Sequence, residues 1–250
     1  MLSYIKSKIP DDTKNALRRL VRDAERKTWF MRYYGNRFVC VCCGANLSHF
    51  NGQDCPKCDS RFRHRVIFKY LLDHSNLING NRSIRMLHFA PEYFFQKYFR
   101  KFKNIEYYDA DLSSKTANYK VDITNIPFKS EYFDCILCVH VLEHIPDDRL
   151  AMRELYRVLK PGGWAILQSP LDTNRQTTYE DPSVTTPEER LKVFGDFDHK
   201  RIYGLDYKDR LQEAGFEVTV DPYVSDLPDE MITKFGLRRE NIYLCRKKTL

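Results

Sequence analysis

Four cysteines in the N-terminal third are spaced as two pairs that can hold one metal ion. Cys40-x2-Cys43 is followed, after eleven residues, by Cys55-x2-Cys58. Two chelating pairs supply four thiolates, which complete a tetrahedral Zn²⁺ shell with no open position, so the predicted zinc is structural. Cys42 is the predicted non-ligand, although Cys40 and Cys42 could exchange roles. Free thiols are the alternative, and a metal is favoured because clustered cysteines outside secreted proteins are typical of metal ligation.

The residues that follow each pair favour the tight turns that this chelation needs. Gly44 follows the first pair and Asp59 follows the second, and both tolerate a left-handed backbone better than most residues. So short a module cannot fold by burial alone, whereas zinc binding can supply roughly 10–16 kcal/mol of apparent free energy. We therefore expect the module to depend on its metal for order.

Most of the excess positive charge also lies in this part of the chain. Residues 1–72 hold 15 Lys/Arg against 6 Asp/Glu, while the whole chain has a net charge of +7. Apolar and basic residues recur at helical spacing over 11–30, which predicts a basic amphipathic helix. It is predicted to be a solvated helix packed on the main domain, and contact with nucleic acid or a membrane surface is the alternative.

A short basic run follows the second cysteine pair and comprises Arg61, Arg63, His64 and Arg65. Two interpretations of this run remain: it contacts phosphate groups, or it is an ordinary basic surface that joins the zinc module to the next helix.

Beyond residue 62 the pattern changes to short apolar strands that alternate with helices. Strands are predicted at 84–89, 105–110, 119–122, 135–140, 164–169, 216–220 and 242–246. Helices are predicted at 66–72, 93–102, 149–159 and 207–214, the last closed by Gly215. Seven short strands with helical crossovers predict an α/β fold with a doubly wound, mostly parallel sheet, preceded by the basic helix and the small zinc module. The predicted domains are a helical arm (1–36), the zinc module (37–65) and the main domain (66–250).

Three segments of the main domain carry a recognisable pattern. They read FDCILCVHVLEHIPDD (133–148), RELYRVLKPGGWAILQSP (153–170) and LDYKDRLQEAGFEVTV (205–220). Over about residues 84–250 the chain resembles the class I S-adenosylmethionine (SAM)-dependent methyltransferases, in particular the methyltransferase type 11-like domains. The resemblance implies a Rossmann-like methyltransferase sheet that binds SAM over the carboxyl ends of its parallel strands.

The same resemblance implies contacts to the cofactor. Asp111, after the second strand, would accept hydrogen bonds from the ribose hydroxyls of SAM. Asp122 and Ile123, after the third strand, would contact the adenine. Aspartates at strand ends are also common as caps, which is the alternative interpretation of both.

The loop after the first strand departs from the family pattern. His88 stands where the family has an acidic residue, and Ala90 and Glu92 stand at the usual glycine positions, with Phe89 between. Alanine still allows close approach of the backbone, and Glu92 would receive the ammonium group of SAM. These four residues are predicted cofactor contacts. A domain that has lost its cofactor is the alternative, and a nicotinamide fold is disfavoured because G-x-G-x-x-G is absent.

Catalytic candidates cluster after the fourth strand. Methyl transfer is an in-line displacement, so the protein must align the acceptor and, for a hydroxyl or amine, remove a proton. His140, which is also a predicted cofactor contact, is expected to face the methyl group, with Glu143 and His144 beside it. Capping of the next helix by Glu143 and His144 is the alternative. His140-x-x-Glu143-His144 is also similar to the Glu-x-x-Glu-His metal motif of the small-RNA 3′-terminal methyltransferases, and His199 would supply a further ligand.

A long polar insertion separates the fifth strand from the last helix. Residues 171–204 are predicted to form a substrate lid, and their mixed charge favours a polar acceptor. The candidates for acceptor binding are Asp172, Tyr179, Glu180, Asp181, Asp198, His199, Arg201 and Tyr203.

These features predict a cytoplasmic, SAM-dependent methyltransferase whose zinc module helps to position the acceptor. Zinc ribbons that accompany this fold in ribosomal-RNA methyltransferases favour RNA as the acceptor. The slightly acidic catalytic part, which lacks clustered aromatic residues in its insertion, favours a small metabolite or glycan intermediate. The competing class is a non-catalytic zinc-containing protein that binds nucleic acid through its basic N-terminal third and keeps a degenerate methyltransferase scaffold. No apolar stretch approaches the roughly 18 residues of a membrane span.

Overall fold

The structure is a computed structural model that describes residues 20, 21, 24, 27–74, 82–114 and 116–249. The chain forms two compact units, one made of Met1–His74 and Val224–Arg239 and the other of Ser75–Tyr223 and Glu240–Leu250. This grouping brings a late segment into the unit that holds the cysteines. The predicted boundaries at 36 and 65 stay predictions.

The secondary structure alternates along most of the chain. In chain order the elements are β1 (Tyr34–Val39), β2 (Asn46–Leu47), α1 (Phe62–His74), β3 (Ile84–Phe89), α2 (Tyr93–Phe99), β4 (Ile105–Asp111), β5 (Tyr119–Lys120), β6 (Phe133–Val139), a 3-10 turn (Leu142–His144), α3 (Asp148–Val158), β7 (Leu159–Gln168), β8 (Tyr179–Glu180), α4 (Pro187–Phe194), β9 (Arg201–Ile202), α5 (Tyr207–Glu213), β10 (Glu217–Asp221), α6 (Asp229–Phe235) and β11 (Ile242–Arg246). In the part of the chain that the structure describes, no helix has the length and apolar character needed to cross a bilayer.

The smaller unit is built from short elements around the cysteine loops. Its strands β1 and β2 pair antiparallel, and α6 lies against β1. The predicted basic helix at 11–30 falls largely outside the described residues. Residues 20, 21, 24 and 27–30 of it are described and helical, and the side chains of Leu20 and Val21 are exposed.

A seven-stranded sheet organises the larger unit, in the order β10-β11-β7-β6-β3-β4-β5. The strands from β7 to β5 run parallel, whereas β11 is antiparallel to both of its neighbours. The predicted doubly wound, mostly parallel Rossmann-like methyltransferase sheet is thereby confirmed. Because β3 has β4 on one side and β6 on the other, the strand order reverses beside β3. Sheets of this kind bind ligands at that point, outside the carboxyl ends of the strands.

Helix α3 shows how the sequence produces this packing. Its buried positions Ala151, Met152, Leu155 and Val158 recur with helical spacing and join the core formed by β6 and β7. The helix begins after Asp147, whose carboxylate accepts the backbone N–H of Leu150 at 2.9 Å. The apolar stripe and the cap together fix the connection that leads from β6 to β7.

Three cysteines outside the N-terminal cluster lie inside this core. Cys135, Cys138 and Cys245 are fully or almost fully buried, as the sequence predicts for strand residues. Burial raises the pKa of each thiol, because it disfavours the thiolate. These three side chains therefore act as small apolar groups rather than as nucleophiles or ligands.

Candidate metal centre and active site

The four predicted zinc ligands converge in the smaller unit. The Sγ atoms of Cys40, Cys43, Cys55 and Cys58 all lie within 4.8 Å of one another. Cys40 and Cys58 are 3.8 Å apart at their sulfurs, and Cys43 and Cys55 are 3.7 Å apart. Four sulfurs at the usual Zn–S distance from one tetrahedral ion would be about 3.8 Å apart. The cluster therefore fits a four-coordinate Zn²⁺. Cys42 is buried nearby but is not one of the four.

Two left-handed turns shape this cluster. Gly44 has φ +70° and Asp59 has φ +58°, the conformation that the sequence predicts for both. Their backbone N–H groups donate to the carbonyl oxygens of Cys40 and Cys55, each at 2.8 Å. Each turn thus closes one cysteine pair into a compact knuckle.

The thiols in the cluster strongly influence one another's ionisation. Hydrogen bonds from neighbouring thiols, that of Cys42 first, lower the pKa of Cys40. Interaction with Cys40 in turn raises the pKa of Cys43, Cys55 and Cys58. A thiolate at Cys40 disfavours ionisation of the other three thiols. A bound cation would therefore be needed for four thiolates to coexist at these distances.

One member of the basic run is an internal residue. Arg65 is 2% exposed and donates hydrogen bonds to the carbonyl oxygens of Ser60 (2.7 Å), Gln53 (3.1 Å) and Gly236 (2.9 Å). Its guanidinium also lies over the ring of Phe50, 4.0 Å from the centroid. Arg65 therefore holds the smaller unit together and is not a surface group for phosphate.

In the larger unit, the predicted cofactor residues sit at one edge of the sheet. Asp111 ends β4, and its Oδ1 accepts the backbone N–H groups of Ser113 (2.7 Å) and Ser114 (2.6 Å). Asp122 follows β5, and its Oδ1 accepts the N–H of Thr124 at 2.8 Å. Each carboxylate caps a turn with one oxygen, and among the described residues no hydrogen bond engages the second. Ile123 is buried in the main core.

The loop after β3 divides into buried and edge residues. Ala90 has φ +48°, and its N–H donates to the carbonyl oxygen of Ala110 at 3.0 Å. His88 is fully buried, with Nδ1 2.8 Å from the Tyr107 hydroxyl and Nε2 3.0 Å from a carboxylate oxygen of Glu92. Phe89 is buried in the core. The structure thus gives His88 and Phe89 supporting contacts behind the loop, while Ala90 and Glu92 remain at the sheet edge.

His140, directly after β6, has a left-handed backbone with φ +54°. Its N–H donates to the carbonyl oxygen of Gln168 at 2.7 Å, which fixes the turn. Such backbone strain in a residue other than glycine is concentrated at functional sites. Nδ1 of His140 lies 3.3 Å from Oε1 of Glu143, and Oε2 of that carboxylate accepts the Ser169 hydroxyl at 3.0 Å.

The insertion returns to this edge and brings His199 to the other candidates. Nδ1 of His144 lies 2.9 Å from Oδ1 of Asp198, and the rings of His144 and His199 are 4.7 Å apart. Ligand-type atoms of Glu143, His144 and His199 all lie within 4.8 Å of one another, whereas His140 is outside that group. Ser169 was missed by the sequence analysis, although its place after β7 at the same edge was a usable signal.

Several residues that were predicted to bind the acceptor instead make hydrogen bonds within the protein. Tyr203 is fully buried and donates to Asp148 at 2.6 Å. Arg201 is 3% exposed, and it binds Glu180 at 2.9 Å and backbone carbonyls after β6. Arg210 also donates to Glu180, at 2.6 Å. This ionic network, in which Arg201 is buried and Glu180 is exposed, holds the insertion on the sheet edge.

Residues 87–167 match the model of a family described as a methyltransferase domain. This match covers about a third of the chain, and it shows that residues 87–167 are similar to a methyltransferase domain. It is similar to the ubiquinone/menaquinone biosynthesis C-methyltransferase UbiE of Vibrio cholerae, with 47% identity over 124 residues, 44% of this chain and 48% of the relative. It is also similar to the sterol 24-C-methyltransferase of Eremothecium gossypii, with 29% identity over 138 residues, 53% of this chain and 35% of the relative. The chain thus spans at most about half of the length of these curated relatives.

A solved structure extends the likeness of fold over more of this chain. The crystal structure of the [4+2]-cyclase SpnF aligns with a TM-score of 0.52 and 14% identity, covering 76% of this chain and 84% of that one. At this identity the likeness shows the fold alone. That neighbour's title describes a cyclase, so the reaction has to be argued from the side chains of the site.

Proposed function

We propose that this protein transfers a methyl group from SAM to a polar acceptor, either RNA or a small metabolite or glycan intermediate. The observation that carries the proposal is one edge of the sheet, where four adjacent strands end beside Ala90, Asp111, Asp122 and His140. This edge adjoins the reversal of strand order, where such sheets bind nucleotide-like ligands. When bound, SAM supplies an electrophilic methyl group on a sulfonium.

The residues at this edge fit SAM. Ala90 adopts the left-handed backbone that glycine usually supplies in such loops, so the altered sequence keeps the conformation that lets the backbone approach a ligand. Asp111 would hold the ribose hydroxyls and Asp122 the adenine amine, each through its unengaged oxygen. Glu92, steadied by buried His88 at 3.0 Å, would receive the ammonium group.

Acceptor alignment is assigned to the residues after β6 and in the insertion. His140 would lie beside the reacting methyl and accept a proton from a hydroxyl or amine acceptor. Glu143, His144 and His199 would form the wall of the acceptor site, since the insertion places His199 against the other two. Proximity of this kind lowers the barrier by holding the reactants in line.

The cysteine cluster is assigned a structural Zn²⁺, and its unit is assigned a part in positioning the acceptor. The fit of four sulfurs at 3.7 and 3.8 Å supports the metal. The excess positive charge of residues 1–72 supports a polyanionic acceptor such as RNA. The family match ends at residue 167, before the insertion, so the acceptors in the relatives' names are not carried over.

Calorimetric titration with SAM and with its demethylated product tests the cofactor site. Asp111→Ala removes the proposed ribose contact, and Asp181→Ala is a matched control, because Asp181 caps a similar turn through the N–H of Ser183 at 2.9 Å. We expect micromolar binding by the wild type and the control and at least tenfold weaker binding by Asp111→Ala. Absence of binding by the wild type would overturn the proposal and favour the non-catalytic nucleic-acid-binding class. Transfer of labelled methyl groups to RNA or to small-molecule extracts then separates the acceptors.

A further inference from the structure

We infer that Glu143, His144 and His199 form a binding site for one divalent transition-metal ion, separate from the cysteine cluster. One carboxylate oxygen and two imidazole nitrogens lie within 4.8 Å of one another. Two of these residues come from the turn after β6 and the third from the insertion. The site does not require SAM, so it does not rest on the proposed methyl transfer.

The carboxylate of Glu143 supplies the first reason for a cation. Glu143 is 1% exposed, and its Oε2 accepts the Ser169 hydroxyl. Its Oε1 accepts no hydrogen bond of normal geometry from the described residues. The nearest cationic side chains reach it only at 3.3 Å from His140 and 4.0 Å from His144. An ionised oxygen buried without a donor is costly, and direct coordination to a metal removes that cost.

The arrangement around His144 supplies the second reason. Its Nδ1 lies 2.9 Å from Oδ1 of Asp198, although not in the geometry of a normal hydrogen bond, while its Nε2 lies 4.0 Å from Oε1 of Glu143. Histidines that bind metals commonly donate their second ring N–H to a carboxylate, which fixes the ring orientation and raises ligand basicity, and Asp198 lies close enough to take that role. Ligand atoms of a four-coordinate ion are about 3.4 Å apart, so 4.0 Å requires only a small closure.

The backbone next to His199, the third proposed ligand, is hydrogen-bonded to the turn after β6. The N–H of Lys200, next to His199, donates to the carbonyl oxygen of Glu143 at 2.8 Å. The following residue, Arg201, binds the carbonyl oxygen of Leu142 at 2.9 Å. Two adjacent residues of the insertion are therefore tied to the turn that carries the other ligands. A site held from both sides is preorganised for binding.

The ligand set defines the class of ion. Two imidazoles with one carboxylate favour first-row transition ions over Mg²⁺ or Ca²⁺, which prefer all-oxygen sites. Three protein ligands leave coordination positions for water or another oxygen. The site differs in this from the cysteine cluster, whose four thiolates close the shell.

Titration with Mn²⁺, followed by the loss of its free-ion electron paramagnetic resonance signal, tests the site. The full chain is used with zinc in the cysteine cluster, because Mn²⁺ competes poorly for thiolates. We expect one Mn²⁺ per chain in the wild type and at least tenfold weaker binding after His199→Ala. His74→Ala is the matched control, since His74 ends α1 in the smaller unit, and its binding should equal that of the wild type.

A second variant tests the site independently, in case His199→Ala does not fold. Glu143→Gln keeps the shape of the side chain and removes its charge, and we expect it also to weaken Mn²⁺ binding at least tenfold. Circular dichroism and retained zinc show that each variant is folded. Absence of Mn²⁺ binding by the wild type, or unchanged affinity in a folded His199→Ala protein, would overturn the inference. Mn²⁺ binding by a chain that fails to bind SAM would uphold it while removing the proposed function.

Discussion

The guanidinium of Arg201 donates a hydrogen bond of 2.9 Å to the carbonyl oxygen of Leu142. It also donates to the carbonyl oxygens of Ile145 (2.5 Å) and Pro146 (2.8 Å). The insertion thus holds both ends of the turn that carries Glu143. Arg201 has the role of a positioning residue, because it fixes backbone that presents other side chains.

Replacement of this residue by Arg201→Met should lower the free energy of unfolding by about 3–5 kcal/mol, because it removes the partner of buried groups. The loss leaves the carbonyl oxygens of Leu142, Ile145 and Pro146 without the donor that Arg201 supplies, while Glu180 keeps its hydrogen bond from Arg210. Urea unfolding followed by circular dichroism measures the change. Arg175→Met is the control, since Arg175 pairs with Asp172 on the surface and should contribute less than about 1 kcal/mol. Equal changes in the two variants would contradict the assigned role.

Metal content distinguishes ligand cysteines from the neighbouring non-ligand. Cys55→Ala should abolish binding of zinc to the cysteine cluster, because three thiolates leave the tetrahedral shell incomplete. Cys42→Ala should retain that zinc, since the Cys42 sulfur is not among the four that converge. Elemental analysis of the purified proteins measures both, with each substitution made in Glu143→Gln, which lacks a ligand of the proposed second site. Loss of zinc from Cys42→Ala with retention by Cys55→Ala would reverse the assignment.

Removal of the metal should also unfold the structure around it. A chelator is expected to abolish protease resistance of residues 34–61 while leaving the sheet of the larger unit folded, because the cysteine loops bury little apolar surface. Limited proteolysis with mass spectrometry reports cleavage sites in each unit. Addition of Zn²⁺ should restore protection in Cys42→Ala but not in Cys55→Ala. Unchanged protection of residues 34–61 after complete metal removal would contradict this dependence.

Local patterns were sufficient for much of this architecture. The predicted strands 84–89 and 242–246 coincide with β3 and β11, because short runs rich in apolar residues that are buried in a sheet carry a strong signal. The spacing of the four cysteines and the turn residues Gly44 and Asp59 likewise depend only on neighbours in sequence. Features of this kind can be predicted because the physics that fixes them is local.

Residues positioned by distant segments were not predictable in the same way. In the sequence, Arg65 belongs to a basic run that could lie on the surface. In the structure its side chain is buried and donates hydrogen bonds to backbone carbonyl oxygens, including that of Gly236. His199 meets His144 only because Arg201 and Lys200 anchor the insertion to the turn after β6. The helix α4 was missed within the same insertion, where polar residues conceal the helical period.

The start of β7 was also misplaced, and the reason lies in its glycines. The strand begins at Leu159, which pairs with Phe133, and not at the predicted residue 164. The register then shifts, and Gly162 takes φ +74°. A Cβ on Gly163 would lie 2.8 Å from the carbonyl oxygen of Lys160, so only glycine allows this tight irregularity. The sequence predicts a helix up to residue 159 and a strand from residue 164, so residues 160–163 are assigned to neither element.

Acid should weaken the contact between α3 and the loop before β6. Glu154 accepts hydrogen bonds from the Arg157 side chain at 2.7 Å and from the backbone N–H of Ile126 at 2.9 Å. The side-chain hydrogen bond from Arg157 lowers the pKa of the Glu154 carboxyl. A depressed pKa in the folded state contributes stability above the unfolded value, about 4.5, and this contribution is lost as the pH falls through the folded value.

Comparison of the wild type with Glu154→Gln measures that contribution. The difference in free energy of unfolding should be larger at pH 6.5 than at pH 3.5, because the carboxylate is protonated in both states at sufficiently low pH. Urea unfolding at several pH values gives the difference directly. Glu188→Gln is the control, since Glu188 is an exposed residue in the first turn of α4 and should show a smaller dependence. A difference that grows toward acid would contradict the assigned direction.

The loop after β3 provides the last test, because alanine occupies a position with φ +48°. A left-handed backbone costs an ordinary residue roughly 1–2 kcal/mol. Glycine removes that strain but adds about 0.4–1 kcal/mol of chain entropy to the unfolded state. Ala90→Gly should therefore leave the free energy of unfolding unchanged or raise it by up to about 1.6 kcal/mol, as measured by urea unfolding.

A second alanine in ordinary backbone provides the comparison. Ala214 lies at the end of α5 with φ −75° and ψ −7°. Ala214→Gly should therefore destabilise the protein by about 0.5–1 kcal/mol, because it adds chain entropy without relieving strain. Calorimetry on Ala90→Gly should show SAM affinity at least equal to that of the wild type, since the backbone conformation is retained. Destabilisation of Ala90→Gly equal to that of Ala214→Gly would show that Ala90 is not strained, and the argument that alanine preserves a glycine conformation there would fail.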